Sequence, residues 1–245
     1  MIDIHCHILP GVDDGSPDWE TSLAMCRMAA SDGIRHIVAT PHANDEYVYD
    51  RERLQGLTDE LRSRVAADPV VGAEGLTLSL GCDFHLSYEN FRDAIQRPER
   101  YCIEGTKYLL VEFSDFVIPQ NTDELFRQMG DEGIIPIITH PERNAILIRD
   151  LNTVLRWAEG GAVVQVTGNS LFGRWGGKAE KAAKWLLERG AVHVLASDAH
   201  GTGGRPPVLS EARKIVEKSH GLQMASALVV ENPAAIVAGN PLPMM

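Results

Sequence analysis

The chain of 245 residues alternates short apolar runs with amphipathic stretches from end to end, and nearly every apolar run stops at a histidine or a carboxylate. The first is Asp3-Ile4-His5-Cys6-His7, followed by Val12-Asp13-Asp14-Gly15. Then come Thr40-Pro41-His42, Cys82-Asp83, Val111-Glu112, Thr139-His140-Pro141 and Ser197-Asp198-Ala199-His200. Residues two apart in a strand point the same way, so His5 and His7 can grip one object, as can Asp198 and His200. Ligand-type side chains held at the ends of apolar strands describe a polynuclear metal centre.

The apolar runs predict seven strands, over Ile2–His5, His36–Ala39, Leu76–Gly81, Tyr108–Val111, Ile134–Ile138, Val163–Val166 and Val192–Ala196. A first helix is expected from Ser16-Pro17-Asp18, which supplies a capping hydroxyl and acids beside the dipole, to Asp32, where Gly33 stops it. Further helices are expected over Asp50–Ala67, Asn90–Gln96, Thr122–Glu132, Leu151–Glu159, Lys178–Arg189, Leu209–Ser219 and Met224–Val229. Several strands are too uniformly apolar for one wet face, which points to a parallel sheet covered by helices. With no Pro/Gly/Ser-rich linker, residues 1–245 read as a single α/β domain. The ligand-type residues follow strands one to five and seven. An open doubly wound sheet gathers only the strand ends near its switch point, whereas a barrel gathers them all. The expected fold is a distorted, TIM-like (β/α)7 barrel.

A formal charge of −11 argues against nucleic acid as a partner. No apolar run approaches the roughly 18 residues of a membrane span. The amino terminus enters a strand at once, so no cleaved signal peptide is expected and the protein is placed in the cytoplasm. Cys6, Cys26, Cys82 and Cys102 lie far apart, fit no disulfide or zinc-knuckle spacing, and suit a reducing compartment. They form no C-x5-R phosphate loop, so a cysteine nucleophile is not expected.

Each candidate has a plain alternative. Asp14 lies in a sequence that taken alone reads as a turn, and His42 after Pro41 serves equally as a loop histidine. Asp83 and Glu112 end apolar strands, where a carboxylate is costly unless paired. His140 closes the almost wholly apolar run from Ile134, where a ligand is favoured over a structural histidine. Cys6 points away from its histidine neighbours and belongs to the core. His36 and His193 read as packed or hydrogen-bonded within strands, and His220 as a cation near a helix end. His85 shares a face with Asp83 and stays open. The strand-end residues gain their force jointly, since nine accidents would have to share one address. Arg143, in Pro141-Glu142-Arg143, and Arg205, in Gly203-Gly204-Arg205-Pro206-Pro207, follow the ligand-type residues. A surface salt bridge is the bland reading of each. Phosphate binding is favoured, because guanidinium forks match phosphate oxygens in pairs.

In these segments, and in the late Val230-Glu231-Asn232-Pro233, the chain resembles the PHP (polymerase and histidinol phosphatase) superfamily. Within it, the chain looks like the bacterial metal-dependent protein-tyrosine phosphatases of capsular and exopolysaccharide synthesis. The resemblance implies three divalent metal ions, commonly manganese, with iron or zinc in relatives. His5, His7 and Asp198 would hold one ion, and Asp83 would reach both it and a second. Glu112 and His140 would complete the second, and Asp14, His42 and His200 would hold the third. Arg143 and Arg205 would bind phosphate. The bridging position is usually Glu, and here it is Asp83. The shorter side chain bridges only if the backbone lies closer, or else His85 takes part. The implied substrate is the phosphotyrosine-bearing C-terminal tail of a membrane tyrosine kinase. Water at divalent metals can ionise near a pH of about 7, so hydroxide attack on phosphorus is the expected chemistry. A histidinol-phosphate or other small phosphoester hydrolase would share every ligand and differ in its pocket wall. An amidohydrolase-type enzyme typically wants a lysine near mid-barrel, and here Lys107 alone precedes the fourth strand. A non-enzymatic PHP module would have lost several ligands.

Overall fold

The computed structural model describes residues 1–243. β1 (Ile2–Cys6), β2 (His36–Ala39) and β4 (Thr77–Leu80) form a parallel sheet in the order β1-β2-β4. β3 (His42–Ala43), β5 (Asp83–His85), β6 (Tyr108–Glu112), β7 (Ile135–Thr139), β8 (Val163–Thr167) and β9 (Val194–Ala196) form a second, also parallel, in that order. The two sheets are continuous. β3 directly extends β2, and β5 extends β4, while Gly81 N donates to Ala39 O at 2.7 Å and Asp83 N to Pro41 O at 3.1 Å across the break. Gly81 is required there, because a Cβ would lie 2.8 Å from Cγ1 of Val38. At the other end, Asp198 N donates to His5 O at 2.9 Å and His7 N to Ala199 O at 2.8 Å, around a Cys6–Ala199 bridge. The first strand therefore meets the last, and seven strand positions close into a distorted barrel.

Alternation along the strands divides the apolar residues into two layers. Ile4, Val38, Tyr108, Leu110, Ile137, Val163, Val194 and Ala196 fill the interior, with Ile236 against them. Leu109, Val111, Ile138, Val164, Val166 and Leu195 face the surrounding helices. Between Asp3 and Cys6, β1 takes one residue more than its partner β2. Such a bulge re-aims a strand. Here Ile4 lies inside while Cys6 packs outside, and His5 and His7 turn toward the mouth.

The helices are α1 (Trp19–Asp32), α2 (Arg51–Ala67), α3 (Tyr88–Gln96), α4 (Thr122–Asp131), α5 (Leu151–Glu159), α6 (Gly177–Glu188), α7 (Ser210–Ser226) and α8 (Asn232–Val237). The cap of α1 is Asp18, not the serine expected from sequence: its carboxylate accepts from Thr21 N, while Ser16 Oγ donates to Asp18 O at 2.9 Å. Gly33, at φ 93°, ends the helix as expected. The two expected C-terminal helices differ more. α7 runs through Gly221, which breaks it locally at φ 87°, and a wider π-type turn leads into α8. α8 was not anticipated, and Pro233 opens its first turn. β9 starts two residues later than expected, because the His193 ring at Nδ1 accepts the Val164 N–H that a strand carbonyl would take. Among the described residues no helix is long and apolar enough to cross a membrane.

Candidate metal centre

The carboxyl ends of the strands bring together all nine of the ligand-type residues named from sequence. Asp83, at the start of β5, is 1% exposed and is the hub. Its Oδ2 lies 3.4 Å from His5 Nε2, 3.9 Å from His7 Nε2 and 3.2 Å from His42 Nδ1. Asp198 Oδ1 lies 3.4 Å from His5 Nε2, 3.6 Å from His7 Nε2 and 3.7 Å from His200 Nδ1. Asp14 Oδ1 stands between His42 Nε2 at 3.5 Å and His200 Nε2 at 3.4 Å. Glu112, the last residue of β6, is 3.6 Å from His140 Nε2 through Oε1 and 3.8 Å from His42 Nδ1 through Oε2. Donor atoms cluster closely enough to hold an ion in three overlapping sets: His7, Asp14, His42 and His200; His5, His7 and Asp83; His42, Asp83 and Glu112. Asp83 is thus close enough to serve two sets despite its short side chain. His85 Nδ1 is 3.8 Å from Glu112 and stands at the edge of the group.

Two candidates occupy backbone conformations that non-glycine residues rarely adopt. His140 (φ 34°) and Asp198 (φ 51°) both lie in the left-handed region, just past β7 and β9. Each such residue costs on the order of 1–3 kcal/mol and persists where surrounding contacts over-determine it. Those contacts are present: His140 N donates to Gln165 O at 2.9 Å, and Asp198 N to His5 O at 2.9 Å.

A second layer fixes the imidazoles. His5 Nδ1 contacts Gln165 Oε1 at 2.9 Å, and His7 Nδ1 contacts Asp13 Oδ2 at 2.8 Å. Each leaves Nε2 directed at the cluster, the arrangement typical of metal-binding histidines. Asp3, buried beneath, accepts from Ser197 N at 2.9 Å and Ser197 Oγ at 2.5 Å, anchoring the segment that carries Asp198. Gln165 was missed from sequence, although a lone amide in Val163-Val164-Gln165-Val166 was a usable signal. Asp13 was visible only as part of a turn.

The electrostatics are those of crowded carboxylates. Burial opposes a charge on His5, but Asp83 and Asp198 outweigh it and raise its pKa to about 9. Burial is likewise overcome at His42, which Asp14 and Asp83 raise to about 11. His7 goes the other way, to about 4, because burial and the neighbouring His200 outweigh its contact with Asp13. Asp83 is held well below the ordinary carboxylate range, since His5 and His42 outweigh its burial. Burial and the charge of Asp83 push Glu112 up. The cavity therefore demands positive charge. The fit to a metal is direct: both Asp83 oxygens and His42 Nδ1 are buried without a hydrogen-bond partner. Orphaned buried polar atoms of this kind are costly, and nitrogen and carboxylate donors suit manganese, iron or zinc.

The two arginines flank the same carboxylate. Arg143 donates to Asp198 Oδ2 and, at 3.2 Å, to Thr167 Oγ1, and Arg205 donates to Asp198 Oδ2 at 2.7 Å. Both guanidiniums also lie against Trp175, which sequence reasoning overlooked in its glycine-rich loop; Arg143 Cζ is 3.7 Å from the ring centre and Arg205 Cζ 5.1 Å. Of the remaining histidines, His36 bonds Thr77 and Ser79, His193 bonds the backbone of β8, and His220 contacts Ser219 Oγ. All four cysteines are free and buried.

Barrel and site together define a parallel α/β protein with a histidine–carboxylate centre at the mouth of its strands. Residues 1–238 match the family described as capsular polysaccharide synthesis, CpsB/CapC, and the chain belongs to that family. It is 35% identical over 226 residues to the tyrosine-protein phosphatase YwqE of Bacillus subtilis, covering 91% of this chain and 87% of that protein. With the tyrosine-protein phosphatase CpsB of Streptococcus pneumoniae it shares 29% identity over 242 residues, 97% of this chain and 98% of the relative. A solved structure from work on YwqE and CpsB, described as unique metal-dependent tyrosine phosphatases, superposes with a TM-score of 0.92 at 32% identity. That match covers 100% of this chain and 97% of the other.

Proposed function

We propose that this chain is a cytoplasmic, metal-dependent phosphomonoester hydrolase. Its substrate in this reading is the phosphotyrosine-bearing C-terminal tail of a membrane tyrosine kinase in capsular or exopolysaccharide synthesis, and residues 1–245 act as one domain. The observation that carries the reading is the buried Asp83 carboxylate, with no hydrogen bond to either oxygen and three histidines within 4 Å. The names of its relatives, YwqE and CpsB, support the tyrosine phosphate.

In this reading the cluster takes three divalent ions, manganese before iron or zinc. The close donor sets already include seven of the nine ligands, and Asp198 and His140 stand 3.4 Å from His5 and 3.6 Å from Glu112. His5, His7 and Asp198 would hold one, Glu112 and His140 a second with Asp83 shared between them, and Asp14, His42 and His200 a third. Bound there, such ions would supply Lewis acidity and bring the ionisation of water down to a pH of about 7. The chain supplies the rest. Gln165 and Asp13 hold His5 and His7 in one tautomer and one orientation. Arg143 and Arg205 offer paired N–H donors to the phosphoryl oxygens and spread the charge that develops on them. A tyrosyl leaving oxygen, with an ordinary pKa of about 10, departs with little help from an acid.

The test is turnover of a phosphotyrosyl peptide by protein stripped with a chelator and then reloaded with manganese. Activity should vanish on stripping and return on reloading, with histidinol phosphate cleaved far more slowly. Faster cleavage of histidinol phosphate would overturn the substrate, and undiminished activity after complete stripping would overturn the metal dependence.

A further inference from the structure

A cleft of about 360 Å³ runs from Glu112 and His140 outward to the surface. Its walls include Phe113, Arg143, Ala145, Ile148, Trp175 and Lys178. The Phe113 wall is stiff. Its ring stacks on Trp157 at 5.2 Å between centroids, Phe126 meets it edge-on at 6.1 Å, and Asn144 Nδ2 donates to Phe113 O at 3.2 Å. Trp175 belongs to Gly173-Arg174-Trp175-Gly176 between β8 and α6, and its indole carries the guanidinium of Arg143. An arginine suited to phosphate and an aromatic wall are therefore parts of one assembly. A phosphoryl group held by Arg143 beside Glu112 and His140 has this cleft as the room for its ester substituent.

We propose, resting on the phosphatase reading above, that the cleft seats the aryl group of a phosphomonoester and that Trp175 is the residue favouring aryl over alkyl esters. Apolar side chains and an indole gain from covering a flat ring. A short alkyl ester reaches the same arginine but leaves the wall wet. One well-placed aromatic contact is worth about tenfold in affinity. Trp175 is a specificity residue here, separate from the groups that engage the phosphoryl oxygens.

The experiment is calorimetric titration of the manganese-loaded protein with phenylphosphonate and methylphosphonate, neither of which is hydrolysed. The wild-type protein should prefer the phenyl compound by about tenfold. Trp175→Ala should lose most of that preference, weakening phenylphosphonate by about tenfold more than methylphosphonate, and Trp175→Phe should keep most of it. At 36% exposure Trp175 lies at the surface, so its truncation spares the core. Equal weakening of both phosphonates would overturn the proposal, because Trp175 would then only steady the arginines. An intact phenyl preference in Trp175→Ala would overturn it too. If the wild-type protein bound neither compound, the phosphatase reading itself would fail and take the proposal with it.

Discussion

Asp83 sits where burial, orphaned oxygens and three facing histidines coincide, yet the residues behind it decide whether the cluster works. Gln165 is the clearest case, since its amide oxygen is the partner of His5 Nδ1. Gln165→Leu keeps the volume and removes that partner. Loss of an orienting partner of this kind typically costs 10–100-fold, so manganese affinity should fall by about that factor. The fold should survive, because the leucine suits its apolar neighbours. Equilibrium dialysis beside a thermal melt separates the two effects, and unchanged affinity would remove Gln165 from the account. In the sequence, eight of the nine ligand-type residues were legible because apolar runs delimit strands and a polar residue at each end stands out; Asp14, whose own segment reads as a turn, was legible only jointly with them. Gln165, Asp13 and Trp175 were not, because an amide in mid-strand, an acid in a turn and an aromatic among glycines acquire roles only from what folds against them.

Among elements, the loop between β1 and α1 carries Asp13 and Asp14 and is pressed onto β1. Ser16 N donates to His7 O at 3.0 Å. A Cβ on Gly15 would lie 2.2 Å from His7 O and 2.4 Å from His7 Cβ, so Gly15→Ala cannot be accommodated without moving this loop. The expected outcome is loss of Asp13 from His7 and of Asp14 from His42 and His200, with destabilisation of about 1–3 kcal/mol. A denaturant titration together with metal binding checks it, and a variant with wild-type stability and full metal affinity would contradict it. The strands themselves were largely legible from their apolar runs. The bulge in β1, the extension of β2 and β4 by β3 and β5, and α8 were not. A bulge depends on register with a partner strand, and an extension of two or three residues is too short to show a period.

For the whole molecule, the acidic mouth couples stability to pH and to cations. The pKa of His5 rises from 6.5 to about 9 on folding, through Asp83 and Asp198. A histidine raised in this way contributes stability that is fully present below pH 6.5 and is lost as the pH climbs through about 9. His42, raised to about 11, extends the same loss to higher pH. His7 is shifted the opposite way, to about 4, and so changes only below this window. The metal-free protein should therefore show a falling thermal midpoint between pH 6.5 and 9. Saturating manganese should raise the midpoint and remove most of that slope, because a bound cation replaces the protons and stabilises the folded state by mass action. A metal-free midpoint that rises across the window would contradict this balance of charge.

The most direct measurement is anomalous diffraction from crystals grown with manganese. The expected result is manganese peaks at ligand distance from His5 and His7, from Glu112 and His140, and from Asp14, His42 and His200, with Asp83 shared by two ions. Peaks confined to other parts of the surface, from crystals of protein that still hydrolyses phosphotyrosyl peptide, would contradict the account.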